Sequence, residues 1–485
     1  MTQRARVAEK TFEIQELKRT IDQQQRELAS LQRELAESRV HVARLEEENQ
    51  RWRTEPIRLP DDPPLPHHQF GPRMISFCVN LARVAGLRAS VVCLELIVEW
   101  LNVQMDLPVW TTVRNWMMRL GVALIEEPVE AADDWIWFAD HSNQIGREKV
   151  LAIVGVQASK LPPPGMALRH EDLRPLAVVP GISWNTADVA NAYQKLADRI
   201  GVPQTIVVDG ASELRDGAEI LRKRGKSPLV LGDFKHFAAN VMNKVVGGSQ
   251  SFNDFLSKLG STRSAIQQTE MGHFTPPSPR PKARFMNLAA ILNWGEMLSW
   301  QLSHPDTKAR HGVSKARMQE KLGWLKAYQK DLPRWAACQA VVSKSITFVN
   351  EQGLSKGSAD RLAIELAQLC QCVESREVAK RLITFLRESE AKLAAGQRLP
   401  LSTEILESTF GLFKQLERQH SKGGYTSLLA AFGALMKPAT PDSIRSAFSR
   451  VSVKQTIEWV NQHLKQTLAS KRRTAYAEFA KATST

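Results

Sequence analysis

Apolar residues recur at alternating spacings of three and four along the first part of the chain. They are Ile14, Leu17, Ile21, Leu28, Leu31, Leu35, Val42 and Leu45, with Gln24 and Ser38 at two of the same positions. Four heptads of this kind, without glycine or proline, predict a coiled coil. One helix with so narrow a stripe cannot bury it alone, so we expect a homodimer or a higher oligomer of this chain.

A proline-rich run at residues 58–68 ends this helix and predicts a stiff linker. The pattern from residue 72 to 121 then predicts three short helices, with a turn at Leu107 and Pro108 before the last. A turn before a helix with a polar face suggests a helix-turn-helix domain. A small helical bundle that packs on the rest of the chain is the alternative. In a helix-turn-helix, four polar residues of the last helix would contact DNA: Thr111, Arg114, Asn115 and Arg119.

The hydrophobic period changes at residue 135, where short apolar runs bounded by turn residues predict strands. Three such runs follow one another, and two more come later, each preceded by an amphipathic helix. The predicted order is therefore β-β-β-α-β-α-β. A doubly wound nucleotide-binding fold would have a helix after its first strand and a glycine-rich GxGxxG, and neither is present. The order instead fits an RNase H-like mixed sheet.

After this sheet the pattern is almost entirely helical. We therefore predict a multidomain α+β protein whose RNase H-like core is interrupted by a large all-helical insertion. The predicted divisions are a coiled coil at 1–54, a linker and helix-turn-helix at 55–125, the first part of the core at 126–245, the insertion at 246–394, the second part of the core at 395–470 and a basic tail at 471–485.

Composition and charge narrow the range of partners. The chain has 485 residues, 43% of them hydrophobic, and carries a formal net charge of +14, which favours a polyanionic partner. No run approaches 18 uninterrupted apolar residues, which excludes a membrane-spanning segment and leaves nucleic acid as the expected partner. The five cysteines lack the spacing of a zinc site or a disulfide framework, so we expect reduced thiols in a cytoplasmic protein.

Two aspartates mark the ends of apolar runs within the predicted sheet. Asp140 follows WFA in the first strand, and Asp209 follows TIVV in the fourth. Single aspartates at such points are commonly turn residues. Two-metal phosphodiester transfer, however, requires carboxylates that converge from adjacent strands and from a helix packed over the sheet. Asp133 and Asp134 precede the first strand and are expected to be solvated.

The series FADHS, VVDG, GDFKHF and ILESTFGLFK resembles the catalytic signature of DDE-type insertion-sequence transposases. The resemblance implies that Asp140, Asp209 and Glu407 are the catalytic residues and the ligands of two Mg²⁺ or Mn²⁺ ions. It also implies that Asp233 and His236 form the supporting (C/D)xxH element. Glu404 competes for the third position, but a lysine seven residues further along is a family feature, and Lys414 follows Glu407 at that distance. The implied activity is DNA strand cleavage and transfer in a bacterial, nucleoid-associated protein.

Further residues could contact DNA. Arg222, Lys223 and Arg224 form a basic cluster that could follow the DNA path or simply end a solvated helix. The tryptophans of the insertion could stack on a base, although tryptophans on helices usually lie in a core. Two alternatives to a transposase remain open at this point. One is a catalytically silent DNA-binding regulator derived from a transposase, and the other is a nuclease with the same core.

Overall fold

The computed structural model describes residues 3–54, 61–143, 149–181, 183–224, 228–278, 288–304, 312–420, 426–464 and 468–483. The chain forms two compact units. One unit comprises Met1–Asp61 with Ile97–Met105, and the other comprises Asp62–Leu96 with Asp106–Thr485.

The first unit is dominated by one long helix, α1 (Gln3–Thr54). The apolar residues of the predicted seam lie on this helix, and those whose side chains are described are about half exposed or more. The helical part of the coiled-coil prediction is therefore confirmed, whereas pairing stays a prediction. None of the helices in the described ranges is long and apolar enough to cross a membrane.

The second unit contains the other helices and the sheet. Three helices precede the sheet: α2 (Pro72–Ala85), α3 (Leu87–Trp100), which runs on into the first unit, and α4 (Trp110–Ile125). The sheet region consists of β1 (Trp135–Asn143), β2 (Lys149–Gln157), β3 (Arg174–Gly181), α5 (Thr186–Ile200), β4 (Thr205–Val208), α6 (Ser212–Lys223) and β5 (Leu229–Gly232). This is the predicted order of elements. The remaining helices are α7 (Phe234–Met242), α8 (Gln250–Ile266), α9 (Leu288–Ser303), α10 (Lys315–Leu322), α11 (Asp331–Gln352), α12 (Ser358–Leu366), α13 (Val373–Glu390), α14 (Glu404–His420), α15 (Pro441–Arg450), α16 (Val453–His463) and α17 (Leu468–Thr483).

The sheet is mixed, with the strand order β3-β2-β1-β4-β5. The pairs β1–β2 and β2–β3 are antiparallel, and the pairs β1–β4 and β4–β5 are parallel. Antiparallel neighbours can be joined by short connections, whereas parallel neighbours need crossovers, and α5 and α6 supply these. The mixed α+β class predicted from the sequence is confirmed.

Alternation along the strands gives the sheet two different faces. Trp135, Trp137 and Ala139 of β1 share a core with residues of α5 and α6. Ile136, Phe138 and Asp140 consequently lie on the opposite face, and α14 contacts β1. The sheet is thus covered by α5 and α6 on one side and by α14 on the other.

Helix α4 is a core element over most of its length. All ten residues from Trp116 to Ile125 are buried. Gly121 allows a close approach, because a Cβ at this position would lie 2.1 Å from the carbonyl oxygen of Ala430 in the 3-10 segment Ser427–Leu435. Only the first turns of α4 could therefore act as a recognition surface.

An aromatic cluster lies among the helices between α7 and α14. Phe255 is buried, and its ring centroid lies 5.3–5.7 Å from those of Trp324, Tyr328 and Trp335. Trp294 is also buried, whereas Trp300 is 54% exposed. Most of these tryptophans therefore stabilise the insertion, and Trp300 is the one on its surface among the four.

Candidate active site

Three aspartates lie at the same level of three neighbouring parallel strands, Asp140 within β1, and Asp209 and Asp233 directly after β4 and β5. Ala139 of β1 pairs with Val208 of β4, and Val208 pairs with Gly232 of β5. Asp140, Asp209 and Asp233 each follow one member of this row. Neighbouring strands are spaced about 4.8 Å apart. The register therefore sets Asp140 of β1 beside the two aspartates that directly follow β4 and β5.

Asp140 lies on the face of the sheet that α14 covers. In β4, Ile206 and Val208 belong to the core under α5 and α6, so Val207 lies on the face of α14, as Asp140 does in β1. His141, which follows Asp140, lies instead on the α5 and α6 side, where its Nδ1 is 3.6 Å from Glu213 Oε1. Strand alternation thus places His141 and Asp140 on opposite faces, while Asp209 is close enough for its negative charge to act on the imidazole of His141.

Asp233 fixes the start of α14 against this edge. Its Oδ2 accepts hydrogen bonds from the backbone N–H of Thr403 and from the Thr403 hydroxyl, the latter at 2.6 Å. Its Oδ1 accepts from the backbone N–H of His236 at 2.8 Å and so caps α7. The Asp233 side chain is fully buried. One carboxylate therefore joins the first turns of α7 and α14.

The junction brings Glu407 to the aspartates. Glu407 Oε2 accepts from Lys235 Nζ at 2.9 Å, and Glu407 Oε1 lies 3.2 Å from His236 Nε2. Glu404, one turn earlier on α14, shares the same ammonium group at 3.1 Å but also binds Asn350. Glu407 is thus the glutamate in contact with the DFKH element through two cations.

The electrostatics of Asp140 show that these carboxylates act on one another. Burial, the negative charge of Asp209 and, to a smaller extent, that of Glu407 together raise the pKa of Asp140 to about 7, against the opposing effects of the His141 N–H and of His236. Contact with the Asp233 carboxylate, 3.4 Å from Nδ1, together with the charges of Glu407 and Asp140, raises the pKa of His236 to about 9 against the opposing effect of burial. His236 is therefore cationic at neutral pH and lies between three acidic groups.

Two residues of the site were missed from the sequence. Lys235 lies inside the DFKH motif, and its position between Asp233 and His236 was the available signal. Thr403 precedes the first helical residue of α14, a position at which threonine is a common cap. Here Thr403 binds a distant carboxylate, which no local pattern could reveal.

The residues predicted to contact DNA differ in their exposure to solvent. Thr111 and Arg114 are half-buried, and Asn115 is exposed, as are Arg222, Lys223 and Arg224 at the end of α6. Lys414 lies on α14 two turns after Glu407 and is half-buried. These residues remain candidates.

The prediction for Arg119 is wrong. Arg119 is 8% exposed, and its guanidinium donates to the carbonyl oxygens of Val451 and Phe448. It also lies 4.1 Å above the Phe448 ring. The polar period of α4 is real, but at Arg119 it faces α15 and not solvent.

The carboxylates at the edge of the sheet suit a hard divalent cation, because carboxylate oxygens are its preferred ligands. Crowding of three negative charges, which raises the pKa of Asp140, also favours a cation there. Within the described ranges, however, no group of three or more histidine, cysteine or acidic side chains is arranged as a metal site. Glu407 instead faces Lys235 and His236.

No protein-family model matches the chain, and no curated protein matches it. The chain is similar to a solved structure described as the Drosophila P element transposase strand transfer complex, with 13% identity and a TM-score of 0.34. The match covers 75% of this chain and 90% of the other. The carboxylates of the sheet edge, and not this likeness, carry the function proposed below.

Proposed function

We propose that the chain is a DNA transposase that cleaves and joins DNA strands with the aid of two Mg²⁺ or Mn²⁺ ions. The single observation behind the proposal is that strand register sets Asp140 beside Asp209 and that the charges of both Asp209 and Glu407 act on buried Asp140. Strand register positions Asp140 and Asp209, and the contact between Asp233 and Thr403 positions Glu407. Their resemblance to the DDE series agrees with this placement.

The three carboxylates would hold the ions through their oxygens. Bound ions of this kind activate the attacking oxygen and stabilise the leaving oxygen of a phosphodiester. Asp140 and Asp209 are positioned on rigid strands, so their separation is set by the register. Glu407 lies on a helix and is held by Lys235 and His236, so its carboxylate must exchange these cations for metal when the site is filled.

Asp233 and His236 act in this proposal as positioning residues. Hydrogen bonds from His236 and Thr403 keep the pKa of Asp233 low despite its burial. The resulting carboxylate holds α14 in place and keeps His236 protonated. The positive charge of His236 partly offsets the repulsion between Asp140 and Glu407.

Binding of DNA is assigned to surfaces outside this carboxylate cluster. Thr111, Arg114 and Asn115 on the first turns of α4 would read base edges, whereas Arg222, Lys223, Arg224 and Lys414 would contact phosphates. The seam of α1 would pair two copies of the chain. Loss of Arg114 should then weaken binding to the cognate ends more than binding to random DNA.

The proposal can be tested with DNA fragments that flank the gene, because the ends of a transposon lie on either side of its transposase. Purified protein with Mn²⁺ should cut these fragments and join their 3′ ends to a plasmid. Asp140→Asn, Asp209→Asn and Glu407→Gln should each abolish both steps and leave binding intact.

Glu404→Gln is the matched control, since it removes the same charge from the same helix and the same lysine contact. It should keep most of the activity. Cutting without joining would identify a nuclease, and binding without cutting would identify a silent regulator. Equal loss in Glu404→Gln and Glu407→Gln would contradict the assignment of the third carboxylate.

A further inference from the structure

A second cavity lies beside α14, away from the three aspartates. It has a volume of about 510 Å³. Glu404, Ile405, Ser408 and Leu412 form its wall on α14, and Arg83, Arg169 and His170 are its basic lining residues. The α14 residues fall on one side of the helix, because they are separated by one, three and four positions. The same helix thus borders the cavity and carries Glu407.

Arg83 projects into the cavity from α2 with part of its guanidinium unused. One terminal nitrogen donates to the carbonyl oxygen of Leu435 at 2.9 Å. The Nε atom is buried and has no hydrogen-bond partner among the described residues. Burial lowers the pKa of Arg83, yet an arginine stays charged in proteins. Leaving a buried charged donor without a partner destabilises the folded chain, so an acceptor that reaches this group would stabilise it.

His170 adds a second unused donor. It begins the short 3-10 segment His170–Asp172, and its Nε2 is buried without a partner in the described part of the chain. Burial lowers the pKa of His170, and the positive charge of Arg83 lowers it further. The two side chains are therefore close to each other, and neutral His170 can donate from Nε2 without adding a second full charge.

The other charged groups of the lining are already paired. Arg169 lies 3.6 Å from Glu171, and Glu404 binds Lys235 and Asn350. Arg83 has no carboxylate partner among the described side chains, so its charge is the one that the cavity presents. The Ser408 hydroxyl lies in the wall on α14 and can donate as well.

We propose that this cavity binds a phosphate group through Arg83, His170 and Ser408. An arginine fork matches two phosphate oxygens, and charge-assisted bonds of this kind are the strong ones. The phosphate could belong to the DNA backbone, which would then run along α14, or to a small phosphorylated compound. The site does not depend on strand cleavage.

Thermal unfolding of the full chain in inorganic phosphate tests the site directly. At a phosphate concentration tenfold above its Kd, the midpoint should rise by roughly 2 °C over a chloride buffer of equal ionic strength. Arg83→Gln should lose the rise, and Arg445→Gln, which removes an exposed arginine paired with Asp442, should retain it.

A second variant separates binding from folding. His170→Ala leaves the bond between Arg83 and Leu435 in place, so it should fold normally and still lose most of the rise. A phosphate response of unchanged size in both Arg83→Gln and His170→Ala would overturn the proposal, because the ions would then be bound elsewhere.

Binding of a random-sequence DNA duplex distinguishes the two sources of phosphate. If the DNA backbone occupies the cavity, Arg83→Gln should lower the slope of log K against log salt by about one. If the slope is unchanged while the response to inorganic phosphate is lost, a small phosphorylated compound is the occupant. Both outcomes support a phosphate site, and neither depends on whether the chain cuts DNA.

Discussion

Thr403 donates its backbone N–H and its hydroxyl to the same carboxylate oxygen of Asp233, 170 residues earlier in the chain. This pair of hydrogen bonds sets where α14 begins and therefore where Glu407 lies. The side chains of both residues are buried, so water cannot replace a lost bond easily.

Thr403→Val should therefore misplace Glu407 as well as destabilise the chain. Loss of a hydrogen bond to a buried carboxylate costs about 1.5–3 kcal/mol. Strand transfer should fall by more than the lost stability explains at a temperature where the variant is folded. Unfolding in denaturant would measure the loss of stability, and the rate of strand transfer at about 298 K would measure the loss of activity.

Thr409→Val is the control for this change. Thr409 is on the same helix and fully buried, but its hydroxyl donates to Ile405 within α14. It should lose stability without a separate loss of activity. If the two valine variants behave alike, the contact between Asp233 and Thr403 does not position the site.

Asp140 makes the stability of the chain depend on pH. Its carboxyl group keeps a proton up to about pH 7 in the folded chain, but loses it near pH 4 when unfolded. The folded chain thus binds more protons between these values, and the stability that this group contributes falls as the pH rises from about 4 to about 7. Asp140→Asn should accordingly stabilise the chain at pH 8 by ~1 kcal/mol or more, and by much less at pH 4.

Denaturant unfolding in EDTA at both pH values would measure this difference. Asp216→Asn removes an exposed aspartate paired with Arg215 and should change stability little at either pH. Destabilisation by Asp140→Asn at pH 8 would contradict the repulsion inferred for the carboxylates.

In the proposed metal site, Lys235 would compete with the metal for Glu407. Its ammonium group lies 2.9 Å from Glu407 Oε2 and is mostly buried. Lys235→Met should free the carboxylate and make the potential at the site more negative, so Mn²⁺ should bind about 5- to 10-fold more tightly. Calorimetric titration with Mn²⁺ would measure this, with exposed Lys195→Met on α5 as the control for lost charge. Weaker Mn²⁺ binding in Lys235→Met would mean that the lysine helps to shape the metal site.

The seam of α1 should drive self-association. Leu28 and Leu35 are 58% and 53% exposed on a helix that cannot bury them alone. Replacing both with lysine should lower the mass per particle in light scattering, since charge at seam positions disfavours pairing. Val40→Lys is the control, because Val40 is exposed but lies outside the seam. An unchanged mass in the double variant would exclude α1 as the interface.

Short-range patterns predicted the order of the strands and helices in the sheet region well. The run WIWFAD alternates between two buried faces, and that alternation also decides the side on which Asp140 lies. The same reasoning failed for Arg119, because a polar residue on an amphipathic helix can bond to backbone carbonyls of a later helix as well as to solvent. It missed Thr403 and Lys235 for a related reason. Their partners are distant in the chain, and periodicity carries no information about such contacts.

A backbone hydrogen bond joins the residues that follow β5 to those that precede α14. The Phe234 N–H donates to the Leu401 carbonyl at 2.9 Å, beside the bonds between Asp233 and Thr403. These bonds hold together the two ends of the long segment between β5 and α14. Doubling the length of a closed loop raises the free energy of loop closure by only about 0.6 kcal/mol. The segment can therefore become longer or shorter while these hydrogen bonds remain formed. The number of residues between Asp209 and Glu407 can therefore change without moving the start of α14.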